Sequence, residues 1–254
     1  ISTMTDLKEL NFTYNDLTGV SSIIVALEKL RTFEIFHNEN MGRIPLEVID
    51  RLQNSLTKDE KKICEKLRSL VTNSDQDYFV RSIPNQAFKW IVKQSSEFVL
   101  DDKSLAQQYC LSLFYFNNNG KYWSNKRNWL ESRDECDWFG VQCLDDDVFE
   151  LNLANNNVSG TVALSKSGHC FGKLNILDLS RNSIQEIEPN IGLLQNLTDL
   201  NLDGNSLMNL PTEIGLLKKL TSLGLSDDDL KTVPKEVSLV ENLSVLDLSG
   251  NQLQ

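Results

Sequence analysis

Histidine is nearly missing from this chain: His37 and His169 are the whole complement in 254 residues. That is too few for most hydrolase triads, and a structural or surface role is the ordinary reading of each. No Cys-x-x-Cys pair accompanies them, which argues against zinc. The 12 glycines form no phosphate-binding loop and no dinucleotide fingerprint. No apolar run reaches the roughly 18 residues of a membrane-spanning helix. The acidic triplets Asp145-Asp146-Asp147 and Asp227-Asp228-Asp229 lack the spacing of an EF-hand loop and read as solvated turns. Basic residues are in deficit, 25 against 36 acidic, for a net charge of −11. This disfavours nucleic acid and anionic lipid as partners. The expectation is a chain with no cofactor, no metal and no catalytic site. It opens on Ile1 without a visible signal peptide, and so reads as a processed or incomplete product.

Leucine, by contrast, recurs with a period. Leu174, Leu197, Leu220 and Leu243 stand 23 residues apart. Leu177, Leu200, Leu223 and Leu246 follow in register, then Leu179, Leu202, Leu225 and Leu248. Asn182, Asn205, Asp228 and Asn251 come next, and Ile184, Leu207, Leu230 and Leu253 close the pattern. The string L-x-x-L-x-L-x-x-N-x-L matches the leucine-rich repeat. Its L-x-L pair predicts a short strand with the leucines facing inward. One copy cannot bury that face alone, so stacked copies must share a core. The Asn turns the chain and is placed to bond backbone groups inside the stack. Asp228 can accept but not donate when ionised, which predicts a looser ladder there. Pro211 and Pro234 introduce the second halves of their copies, expected as short helices or 3₁₀ turns on the convex side.

An earlier copy begins at Leu151, with Leu153, Asn156, Val158 and Gly160. Its 26-residue spacing to Leu177 implies an insertion of three, placed around Ser165–Cys170. A detached block lies at the N-terminus. Leu7, Leu10, Phe12, Asn15 and Leu17 fit the pattern, as do Leu30, Phe33, Ile35 and Asn38. Gly19 and Gly42-Arg43-Ile44-Pro45 add a plant-type flavour, and Met41 marks the degenerate end of the second copy.

Five cysteines are present. Cys136 and Cys143 bracket C-D-W-F-G-V-Q-C, read as a short disulfide-closed loop beside aromatics in preference to a metal site. Cys110 with Cys170 is one further pairing, which would leave Cys64 as a buried thiol; these three stay open. Four N-x-S/T sequons, at Asn11, Asn157, Asn196 and Asn242, make candidate glycosylation sites. Sequons and disulfide together favour secretion.

The segment 55–147 carries no repeat. Thr57-Lys58-Asp59-Glu60 is a capping box ahead of Ile63, Leu67, Leu70 and Val71 at helical spacing. A second helix is expected from Asn85 through Ala87, Trp90 and Ile91, and a third over Lys103–Phe116. Then comes S-L-F-Y-F-N-N-N-G-K-Y-W-S-N-K-R-N-W-L-E-S-R-D-E-C-D-W-F-G-V-Q-C. This string resembles the N-terminal cap of plant-type extracellular leucine-rich repeat proteins, such as receptor-kinase ectodomains and polygalacturonase inhibitors. With its helical lead-in N-Q-A-F-K-W-I-V it is similar to the large secreted sets of diatoms and related algae. The resemblance covers roughly Lys61 to Leu253. It implies that Trp129, Cys136, Trp138, Gly140, Val141 and Cys143 shield the open end of the first repeat. Uncapped repeat ends expose core leucines, and aromatics with a disulfide can cover them.

The expected fold is an α/β solenoid, a right-handed superhelix with a helical, disulfide-closed cap. Its parts are a detached repeat block over 1–54, the cap over 55–147 and about five repeats over 148–254. Solenoids mostly bind rather than transform, so the expected function is a secreted, non-enzymatic interaction module for a protein or glycan ligand. The candidate face is the concave side of the strands: Asn152, Asp178, Arg181, Asp199, Asn201, Asp203, Asp227 and Asp247. It is mostly acidic and small, suiting a basic or hydroxyl-rich partner, and Ser180 and Ser226 are expected to face outward with it. Asp203 is expected to point outward freely, whereas Leu202 fills the core. The cap lies between repeats, so both ends present candidate stacking edges: Leu10, Phe12 and Leu17 at one, Leu246, Leu248 and Leu253 at the other. The alternative function is a structural subunit of an extracellular fibre or layer, stacked head to tail.

Overall fold

A computed structural model describes residues 6–11, 27, 29–30, 32–34, 56–71, 86–97, 101–162, 164 and 170–254. The chain forms two compact units, Ile1–Leu100 and Asp101–Gln254. The segment 55–147 is therefore shared between them. The later part belongs with the repeats for a specific reason: Gln107 accepts the Val148 amide at 2.7 Å and donates to the Asp146 carbonyl at 2.9 Å.

In the first unit, strands β1 (Glu9–Asn11) and β2 (Thr32–Glu34) pair in parallel. Leu10 lies opposite Phe33, the 23-residue offset of the repeat. Leu27 and Leu30 are buried. Helix α1 (Lys58–Val71) starts with the expected reciprocal cap. The Thr57 amide donates to Glu60 at 2.6 Å and the Glu60 amide donates to Thr57 Oγ1 at 3.3 Å. Cys64 and Leu67 are buried at helical spacing, and Cys64 is in no disulfide. Helix α2 (Gln86–Glu97) buries Ala87, Phe88 and Ile91. Phe12, Asn15, Leu17, Gly19, Ile35, His37, Asn38 and Met41 lie outside the described residues, as do 42–45, 85 and 165–169.

The second unit opens with α3 (Asp102–Asn117), one residue longer at each end than the spacing predicts. Asp101 caps it, accepting the Ser104 amide at 2.8 Å. Strands β3 (Val141–Leu144) and β4 (Asp147–Asn152) form a hairpin. Asp145 and Asp146 both have positive φ, the signature of a tight two-residue hairpin turn. Asp145 and Asp146 of the first acidic triplet thus form a turn, while Asp147 opens β4. Strands β5 (Ser159–Val162) and β7 (Ser183–Ile187) pair in a small second sheet. The main sheet continues from β4 through β6 (Ile176–Asp178), β8 (Asp199–Asn201), β9 (Ser222–Gly224) and β10 (Val245–Asp247). All these additions are parallel, with Leu151, Leu177, Leu200, Leu223 and Leu246 in one row. The row confirms both the 23-residue period and the three-residue insertion. On the other side run the 3₁₀ turns Pro189–Leu193, Thr212–Leu216 and Lys235–Leu239, each introduced by its proline.

The leucines of each L-x-L pair are buried from Leu151 to Leu225. Turn asparagines hold the coils together. Asn182 accepts the Asn156 and Val158 amides at 3.0 and 2.9 Å and donates to the Leu153 and Leu179 carbonyls at 2.9 and 2.8 Å. Asn205 and Asn251 repeat the arrangement. Hydroxyls run beside them: Thr221 and Ser244 each donate to a carbonyl one coil back, both at 3.0 Å.

Two expectations need correction. Asp228 is not part of a solvated turn. It is 5% exposed, because the ladder position draws it inward. Asp203 is not free either. It accepts the Ser226 amide of the next coil at 2.7 Å. Alanine at Leu202 is expected to cost about 2–5 kcal/mol by leaving a cavity. Alanine at Asp203 is expected to cost about 1–2 kcal/mol through the orphaned Ser226 amide, not the near-zero cost of a free surface residue. Urea unfolding of both variants checks this; an Asp203→Ala midpoint equal to the parent's would show that the cross-coil bond contributes nothing.

Candidate functional site

The sheet's outer face is built by alternation: where the leucine turns inward, its two neighbours turn out. Asn152, Asp178, Asn201 and Asp247 occupy the same place in successive strands. Each accepts the amide two residues on, at 3.3, 3.0, 3.1 and 2.9 Å. These are Asx turns, which rigidify the row. Ser249 also donates its hydroxyl to Asp247, and its two bonds hold that carboxyl below its usual range. A carboxylate offers about four lone-pair sites, so one amide leaves acceptor capacity for a partner.

Gly224 interrupts the row. A Cβ there would lie 2.9 Å from Asn201 Oδ1 and from both carboxylate oxygens of Asp203. Asp203 leans into that space and does for Ser226 what a carboxylate at 224 would have done. Asp199 accepts the Thr198 hydroxyl at 2.6 Å. Arg181 and Asp227 are exposed and both left-handed, at φ 54° and 53°. Gly204 and Gly250 hold the equivalent conformation in their coils, at φ 69° and 73°. Of the eight expected face residues, Asn152, Asp178, Asp199, Asn201 and Asp247 lie in strands of the sheet, and Arg181, Asp203 and Asp227 lie in the segments that follow its strands. The structure buries Ser180 and Ser226, expected to face outward with them.

At the start of the sheet, β3 runs antiparallel on the edge of β4. Gly140 makes the entry possible: its φ is 81°, and a Cβ would fall 2.1 Å from the Asn152 carbonyl oxygen. Trp123, Trp129 and Trp138 pack in sequence, with centroids 4.9 and 5.0 Å apart, and Tyr115 stacks on Trp129 at 5.8 Å. The Trp123 and Trp129 indoles donate to the Asn118 and Phe139 carbonyls, both at 2.8 Å. Disulfides join Cys110 to Cys170 and Cys136 to Cys143. Both pairings agree with the readings of the sequence, and the first ties α3 to the first repeat.

Sequence reasoning missed two features. Glu135 is buried, its carboxylate accepting from Gln107 at 3.0 Å, Ser104 at 2.8 Å and Gln108 at 3.0 Å. Burial raises its pKa against the lowering effect of the Gln108 bond. An open cleft of about 580 Å³ lies beside it, lined by Asp101, Lys103, Arg133 and Asp146 among others. Nothing in the sequence separates this glutamate from its solvated neighbours. The second feature is a column of exposed leucines, Leu193, Leu216 and Leu239, in the three 3₁₀ turns. Their 23-residue spacing was a visible signal.

No protein-family model matches the sequence, and no curated relative does. The fold is similar to that of the BIR2 ectodomain from Arabidopsis thaliana, with a TM-score of 0.53 and 24% identity over 58% of this chain and 81% of that one. It is also similar to a plant ice-binding protein, with a TM-score of 0.50 and 24% identity over 58% of this chain and 48% of that one. At this identity the likeness shows the fold: a leucine-rich repeat solenoid. Glu135→Ala is expected to cost about 1–3 kcal/mol, since the buried Gln107 and Gln108 amides and the half-buried Ser104 hydroxyl lose an acceptor they share. Urea unfolding measures it, and a variant as stable as the parent would show that the donors find other partners.

Proposed function

We propose that this chain is a secreted, non-enzymatic recognition module whose binding surface is the outer face of the parallel sheet. The observation that carries the reading is the alignment of Asp178, Asp199, Asn201 and Asp247 on one face, three of them rigidified by their own turns and Asp199 by the Thr198 hydroxyl. Two disulfides favour an oxidising compartment. The sequon residues Asn157 and Asn242 are exposed and Asn196 is half-buried, and their side-chain amides donate to the Tyr122, Lys218 and Gly172 carbonyls respectively. The side chain of Asn11 lies outside the described residues. A protein or glycan presenting basic or hydroxyl groups suits this face, through electrostatic complementarity. The probe is a short oligoarginine peptide, with oligoglutamate as the control. Binding by fluorescence anisotropy should favour oligoarginine and weaken with salt. The combined variant Asp178→Asn, Asp199→Asn, Asp247→Asn should weaken it by at least about threefold. Equal binding by parent and variant, or none by either, would remove the acidic face from recognition.

A second reading, a subunit that stacks head to tail into a fibre or layer, has its own observation. Along the β10 edge Val245 is 55% exposed, and Leu246 and Leu253 are each 42% exposed. Leu248 is half-buried beside them, and Leu10 is half-buried in the other block; Phe12 and Leu17 lie outside the described residues. Light scattering should then show concentration-dependent polymers that Leu10→Asp or Leu248→Asp abolishes. Monomers throughout, in parent and variants, would sink this reading while leaving recognition by the outer face untouched.

A further inference from the structure

We propose that Asp228 is a proton-binding site that fastens the coil beginning at Leu220 to the one before it in acid and loosens that joint at neutral pH. The ladder supplies the geometry. Asn182 and Asn205 both donate to the Leu179 carbonyl, so that carbonyl receives two side-chain hydrogens. By register, the equivalent acceptors for position 228 are the carbonyls of Leu202 and Leu225. Leu202 receives one side-chain donor, Asn205 at 2.6 Å, and Leu225 receives one, Asn251 at 2.6 Å. The second donor to each should come from residue 228, which has no amide nitrogen in its side chain.

Asp228 keeps the accepting half of the role. Its Oδ1 takes the Leu207 amide at 2.8 Å, as Asn205 takes that of Ile184 at 3.0 Å. Its Oδ2 is buried without a hydrogen-bond partner. An ionised oxygen there is desolvated, where register puts two carbonyl oxygens within the same turn, and no cation is among the groups acting on it. The charged neighbours make matters worse: Asp203 of the preceding coil and Asp229 are both acidic, and the following coil offers the neutral Asn251. A proton on Oδ2 converts the orphan into a donor toward the same acceptors the asparagines serve.

Burial is the largest of the effects that raise the Asp228 carboxyl, to about 6. The sign follows. The folded chain holds this proton more tightly than the unfolded chain, so stability falls as pH rises from about 4 through about 6. Acidification below neutrality restores it. The adjoining turn carries Asp227 onto the outer face, so the proton also governs how firmly part of that face is held.

The test is amide hydrogen exchange of the full chain, read in peptides spanning 203–230 and corrected for the intrinsic rate. Between about pH 5 and pH 7.5 the parent should lose protection by up to about tenfold. Asp228→Asn supplies the missing donor, so its protection should hardly change with pH and should exceed the parent's at pH 7.5. Glu135, the other carboxyl raised by burial, is common to both proteins, so the difference isolates Asp228. An equal pH response in the two proteins, or weaker protection in Asp228→Asn at pH 7.5, would overturn the proposal. Should that variant fail to fold, carboxyl ¹³C titration of the parent decides: a midpoint near about 6 supports the site and one below about 4.5 removes it.

Discussion

Each coil bends inward directly after its strand, and the amides and carbonyls exposed by that bend have no water to reach. Buried backbone groups must find partners, or each costs a large part of a hydrogen bond. In every coil but the one that carries Asp228, an asparagine answers for several of them at once; Asn182 and Asn205 each accept with the oxygen and donate with the nitrogen to two carbonyls. Those bonds cross from coil to coil, so the same side chain closes the turn and sets the stacking register. The leucine core follows from that register: a shift of one residue would turn Leu177 and Leu200 out of the stack. The hydroxyls of Thr221 and Ser244 hold the strand entrances in the same way.

The outer face inherits its order from the same source. Its acidic residues are held by turns that exist because the chain must redirect itself before the ladder residue. Asx turns at Asp178, Asn201 and Asp247 fix side chains that would otherwise sample several rotamers. A partner therefore meets carboxylates already positioned, which lowers the ordering cost of association. Where Gly224 breaks the row, Asp203 crosses the gap and restores the missing bond from the neighbouring coil. The face is thus shaped by interactions between coils as well as within them.

Most of the solenoid was legible in the sequence because its energetics repeat. Five positions recur at one spacing, and each has a single physical role, since three bury, one turns and one closes. Cys136 and Cys143 were legible for a different reason, since a short loop flanked by tryptophans narrows the options. Asp203 was misread because alternation assigns a direction to a side chain but not a partner. Its bond depends on a glycine in the next coil. Asp228 carried two conflicting signals, a ladder position and an acidic run, and burial by its neighbours decided between them. Glu135 left no trace, because its three donors come from a helix about 30 residues earlier and no local pattern links them.

The antiparallel strand β3 gives the stack a fixed origin. Every later strand adds in parallel to one free edge, and its contacts reach only the coil before it. Insertion or loss of whole 23-residue units downstream would leave the tryptophan cluster, both disulfides and the first rows of the sheet unchanged. The architecture can thus vary in length without renegotiating its beginning. A lineage could lengthen or shorten the acidic face in unit steps, as a counter is advanced, with the reading of each existing step preserved.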